Sequence, residues 1–148
     1  MVEYRELNLD KIHQKVSDIK DSLKHLRKYT NEEEERFVAN TEAVGAARYF
    51  FIVLIEATMN IANHICARML QKAPTNYAET FLLLGSHGII SSQLAEKLAQ
   101  MARFRNLLVH GYGKIDDRKM LQIIREDLTD VDDYLHEVRS ILDEEKRE

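Results

Sequence analysis

The chain has one cysteine, one proline and five glycines among 148 residues. With Cys66 alone, no intramolecular disulfide and no cysteine-rich zinc site can form, and a lone cysteine in an apolar helical context is expected in the core. Scarcity of Pro and Gly excludes a turn-rich, all-β chain, and the few that occur fall between periodic segments. Long apolar runs are missing as well. YFFIVLI, Tyr49 to Ile55, is flanked by Arg48 and Glu56, and is far shorter than the roughly 20 residues of a membrane span. The start, MVEYRELNLDK, mixes both charge signs and has no apolar core of a secretory signal. A soluble, cytoplasmic protein with no membrane contact is therefore expected. No phosphate-cradling GxxxxGK[ST] or GxGxxG occurs, nor a zinc-finger, basic-region or RNP motif.

What remains is helical periodicity, which predicts an all-α, up-and-down bundle of about five helices in one domain, residues 1–148. Leu9, Ile12, Val16, Ile19, Leu23 and Leu26 form one stripe of a first helix from Asn8 to Tyr29. Asn31 followed by the acidic run Glu32 to Glu35 reads as the capped start of a long second helix reaching Gln71, its acids solvated near the positive dipole end. Pro74 ends that segment, since its ring cannot continue the helical ladder. Val44, Ala47, Phe51, Leu54, Ile55, Thr58, Ile61, Ala62 and Ile65 give it a wide apolar face, broadened by Phe50, Val53 and Ala57. A helix so apolar must be covered on several sides, one of which could be a second protomer. A short helix over Tyr77 to Leu84 follows. A fourth begins near Ser91 or Ser92, and the last covers Asp117 to Glu145.

The fourth helix closes in RFRNLLVHGYG, Arg103 to Gly113. Histidine gives and takes protons near neutrality, arginine clamps a phosphate through two hydrogen bonds, and a tyrosine ring can stack on a base. Between Arg103 and Lys119, five basic residues (Arg103, Arg105, Lys114, Arg118, Lys119) face only Asp116 and Asp117, although the chain carries a net charge of −4. A locally positive site on an acidic protein suits a phosphate-bearing substrate. The same residues could also simply cap helix carbonyls. Arg105 and His110 are five positions apart, about 140° around a straight helix. The helix must therefore end before His110, or another chain must complete the site. Asn106, four residues before His110, would share its face. The remaining histidines are scattered; His64, near Asn60 and Asn63, reads as a core or interface residue, and no metal site is expected.

RNLLVHGY, Arg105 to Tyr112, resembles the R-x4-H-x-Y motif of the HepT-like proteins, a branch of the HEPN superfamily, with the polar Asn106 in its first variable position. Thr75 to Asp116 is similar to the family's central block, Ile55 to Ile65 to its long helix, and EDLTDVDDYLHEV, Glu126 to Val138, to its last helix. The resemblance implies an all-α symmetric homodimer with the two motifs facing each other. It also implies a metal-independent, cofactor-free endoribonuclease toxin, with transfer RNA as one substrate type. The implied partner is a minimal nucleotidyltransferase antitoxin that transfers AMP to the motif tyrosine, here Tyr112. The roles it suggests are His110 as general acid/base, Arg105 on the scissile phosphate and Asn106 holding His110 or the phosphate, with Arg103 and Lys114 contributing to substrate binding. The alternative is a non-catalytic helical dimer that binds and regulates a nucleotidyltransferase, or binds nucleotide.

Overall fold

The computed structural model describes residues 7–111 and 116–147, and every regular element among them is helical. In chain order these are α1 (Leu9–Arg27), α2 (Glu34–Ala39), α3 (Thr41–Ile65), α4 (Tyr77–Ser86), α5 (Ser92–His110), α6 (Asp117–Glu126) and α7 (Leu128–Arg147), with a π-helical turn, Cys66–Leu70, continuing α3. The bundle thus has seven helices among the described residues instead of about five, because two long helices of the sequence pattern are each broken once.

Both breaks fall on residues that compete with the helical backbone. Asn40 is extended (φ −92°, ψ 95°) and its side chain accepts the Ala43 N–H, so it ends α2 and caps α3. Asp127 (φ −113°, ψ −6°) ends α6 one residue before α7 begins. Apolar periodicity runs through both positions, which hides the breaks. The expected cap Asn31 also shifts: Glu33 occupies the N-cap of α2. Nor is the acidic run merely solvated. Arg118 at the start of α6 donates to Glu34 and Glu35, and Arg125 donates to the Thr30 and Glu32 carbonyls, which fastens the α1–α2 turn to α6. The Arg118 guanidinium holds the Glu35 carboxyl below its ordinary value.

The other boundaries follow local chemistry. Asn8 caps α1 by accepting from Lys11, and Ser91 caps α5 by accepting from Leu94. The rod of α3 stops at Leu70, where Gln71 adopts the left-handed conformation (φ 54°), three residues before Pro74.

Thr41–Leu70 is long and apolar enough by composition to cross a membrane, yet more than half of its most apolar stretch is buried inside the bundle. It is the central core helix, packed by α1, α4 and α5. Phe51 meets Phe104 of α5 edge to face, with centroids 5.5 Å apart. Tyr134 of α7 is fully buried against Phe81 and donates its hydroxyl to the Thr58 carbonyl at 2.9 Å. Most of the wide apolar face is therefore covered from within the chain, and its residual exposure centres on Tyr49, 62% exposed. His64 accepts the Asn8 backbone N–H at 2.9 Å, tying the start of α1 to the end of α3. Cys66 is buried, as expected, and burial pushes its thiol up to about 11.

Two measurements test this packing. A Cβ on Gly85 would lie 2.5 Å from Ala95 Cβ, where α4 crosses α5, whereas one on Gly45 would meet nothing within 4 Å. Gly85→Ala should destabilise the fold by about 1–3 kcal/mol in urea unfolding, and Gly45→Ala should stabilise it by about 0.5–1 kcal/mol. Cys66 should stay unmodified by a maleimide at pH 8 in the native protein and react once urea unfolds it. Rapid native labelling would contradict its burial.

Candidate functional site

Helix α5 is continuous from the Ser91 cap through His110. Gly111 then caps it, its N–H donating to the Leu107 carbonyl at 2.7 Å. Its φ is −79°, so the glycine is not there for a left-handed turn. It is there for close approach, since a Cβ would sit 2.3 Å from the Leu107 carbonyl oxygen. Because the helix does not end before His110, the angular problem stands: Arg105 turns inward and His110 outward. Arg105 is only 8% exposed, whereas His110 lies on the open surface.

The surroundings of Arg105 are built by three helices. Its Nη2 donates to Glu56 Oε1 on α3. Its Nη1 donates to Asn106 Oδ1 at 3.2 Å. Its guanidinium carbon lies 4.7 Å from the ring centroid of Tyr77, the first residue of α4, in a cation–π contact. The Nε donor is buried and has no hydrogen-bond partner among the described residues. Neither Glu56 nor Tyr77 was singled out by sequence reasoning. The available signal was that Glu56 is the only Asp, Glu, Lys or Arg between residues 49 and 67. Asn106, expected to serve His110 or the phosphate, accepts from Arg105 through its amide oxygen.

The other expected site residues divide. Arg103 is exposed and lines a groove of about 450 Å³ together with Lys97, Phe104, Leu107, Lys119 and Asp130. Burial raises the carboxyls of Asp127 and Asp130 in this groove above the ordinary aspartate value, against the lowering influence of Lys97, whose Nζ lies 3.6 Å from Asp130. Leu107, 55% exposed, and Val109 leave apolar surface beside His110. Of the five cations in the basic segment, Arg105 and Arg118 are engaged by carboxylates, while Arg103 and Lys119 are presented to solvent. Tyr112 and Lys114 lie outside the described residues. No group of three His, Cys, Asp or Glu side chains arranged to hold a metal ion is found among the described residues.

Chemically, the end of α5 offers an anchored guanidinium, an exposed imidazole and a flanking pair of exposed cations. Comparisons with known proteins give this arrangement a family. The family described as ribonuclease HepT-like matches residues 19–138. The chain is 28% identical over 121 residues to the tRNA nuclease HepT of Aphanizomenon flos-aquae, across 81% of this chain and 82% of that protein. It is 26% identical over 85 residues to the mRNA nuclease HepT of Shewanella oneidensis, across 57% and 64% respectively. Its fold is similar to that of the tri-AMPylated Shewanella oneidensis HEPN toxin solved in complex with an MNT antitoxin (TM-score 0.82, 22% identity, 88% of this chain and 98% of that one). It is also similar to YutE of Bacillus subtilis, a cytosolic protein of unknown function (TM-score 0.81, 17% identity, 94% and 93%). With the motif seated at the end of α5 and the match spanning most of its length, the chain belongs to the ribonuclease HepT-like family.

Proposed function

We propose that this protein is the endoribonuclease toxin of a toxin–antitoxin pair, a single HepT-like domain over residues 1–148 that works as a symmetric homodimer in the cytoplasm. Membership of a ribonuclease family supports the activity, and the toxin–antitoxin complexes among the similar folds support the pairing. The observation that carries the dimer is the phase of α5. The helix persists through His110, so one chain presents Arg105 and His110 on different sides. A second copy packed against the exposed Leu107 surface brings two motifs together and covers that surface.

In this reading His110 is the general acid/base, acting on the 2′-hydroxyl or on the leaving 5′-oxygen. Arg105 meets the scissile phosphate with hydrogen bonds directed at the charge that builds on its oxygens. Asn106 keeps the guanidinium in place, and the exposed Arg103, with Lys114, holds flanking phosphates. Attack by the neighbouring 2′-hydroxyl forms a cyclic phosphate, confines the reaction to RNA and needs no metal ion. Transfer RNA is the first substrate to try, given the activity named for the Aphanizomenon relative. The antitoxin is a minimal nucleotidyltransferase, and AMP joined to Tyr112 adds bulk and negative charge beside the phosphate site, which blocks it.

The test is incubation of partner-free wild type and His110→Ala with total tRNA in the presence of EDTA, with product ends assayed for cyclic phosphate. Wild type should cut, and His110→Ala should lose about 10²–10⁴-fold in rate while remaining a dimer by light scattering. An active His110→Ala dimer overturns the mechanism. An intact wild-type dimer with unmodified Tyr112 that cuts no RNA overturns the ribonuclease reading in favour of a module that binds a nucleotidyltransferase.

A further inference from the structure

A charged residue in the most apolar helix of a bundle needs a reason. Glu56 stands alone among the uncharged and apolar residues between Arg48 and Arg68, and its carboxylate is aimed at one guanidinium from a helix 49 positions further along the chain. Stability alone does not supply the reason: the Glu56 side chain is 43% exposed, and an ion pair with one partner that reaches water adds little to a fold. Three groups converge on Arg105 from α3, α4 and α5: the Glu56 carboxylate, the Tyr77 ring and the Asn106 amide oxygen. Together they occupy one proton of each terminal nitrogen and one face of the guanidinium plane. Among the described residues the Nε donor remains buried and unpaired, and the second protons of the two terminal nitrogens meet no acceptor.

We propose that Glu56 and Tyr77 form a clamp that positions Arg105 for the cleavage reaction, as positioning residues which themselves touch no reacting atom. The inference rests on the ribonuclease reading above and deepens it. Glu56 neutralises the charge of Arg105, so the guanidinium contributes direction to the reacting phosphate more than long-range attraction. Attraction comes from the exposed Arg103 and Lys119. The clamp therefore acts on the transition state, where a misplaced donor is felt most, and acts little on substrate affinity.

The split between kcat and KM for RNA cleavage by the full-length dimer tests this. Glu56→Ala should lower kcat by about ten- to a hundredfold without raising KM, and Glu56→Gln, whose amide oxygen still accepts from Nη2, should restore most of kcat. Tyr77→Leu should lower kcat in the same way, with Tyr77→Phe restoring it, since the ring face and not the hydroxyl supports the cation. In an Arg105→Lys background neither Glu56→Ala nor Tyr77→Leu should lower kcat further, because both act through the guanidinium. Wild-type or raised kcat in Glu56→Ala overturns the proposal, as does a rise in KM with kcat unchanged, or an equal loss in the Arg105→Lys background. If Glu56→Ala does not fold, the Tyr77→Leu and Tyr77→Phe pair decides on the same criteria. An inactive wild type defeats the ribonuclease reading and this inference with it, whereas an active wild type with unaffected clamp variants defeats the clamp alone.

Discussion

The buried guanidinium of Arg105 is the constraint around which this end of the bundle is arranged. An arginine stays charged at any ordinary pH, so a site that encloses it must supply counter-charge and hydrogen-bond acceptors. Glu56, Asn106 and Tyr77 do so from α3, α5 and α4, and this one side chain joins the three helices at a common point. The surrounding packing makes the point rigid. Phe104, one residue earlier on α5, is locked edge to face on Phe51, five residues before Glu56 on α3. Loss of Glu56 leaves the buried Arg105 charge without its counter-ion, while the Glu56 side chain, 43% exposed, still reaches water, so the geometry of the site and the docking of α5 on α3 are one problem with one solution.

That solution shapes the electrostatics. The chain is acidic overall, and the basic segment after Arg103 is less basic in space than in sequence. Arg105 is spent on Glu56, and Arg118 on Glu34 and Glu35 at the start of α2. The exposed cations Arg103 and Lys119 sit along a groove that also carries Asp130. A surface of this kind attracts nucleic acid weakly and locally, unlike the extended basic faces of proteins that bind any nucleic acid. It suits an enzyme whose selectivity comes from where donors point.

Local signals in the sequence were readable where local chemistry decides the outcome. The Ser91 cap, the end of α5 at Gly111 and the buried stripe of α1 each depend on residues within a turn or two. The breaks at Asn40 and Asp127 escaped because apolar spacing continues through them, and only cap geometry marks the interruption. The motif residues Arg105, Asn106 and His110 stood out by type and spacing, but their surroundings did not. In sequence Glu56 merely closes an apolar run, and Tyr77 merely opens a short helix. Asn106 was paired with His110 by the four-residue rule, which holds for neighbours on one face. In the structure the Asn106 amide oxygen accepts from its neighbour Arg105, because the buried guanidinium brings its own demand for acceptors into the interior.

The phase of α5 links these observations to chemistry. A continuous helix places groups five residues apart on different sides, about 140° around the axis, and here one side is core and the other is surface. The assignment of residue types to those sides is the physically sensible one. Guanidinium tolerates enclosure without losing its charge and gains directional strength from a drier setting. Imidazole must exchange protons with substrate and solvent, and enclosure disfavours its charged form. A helix that buries the arginine and exposes the histidine therefore gives each group the environment that the proposed chemistry asks of it, but it separates them. In the proposed reaction, an anchored cation and an accessible proton carrier meet one phosphate only with the surface of a second molecule, and the exposed apolar Leu107 near His110 would give that molecule a place to pack.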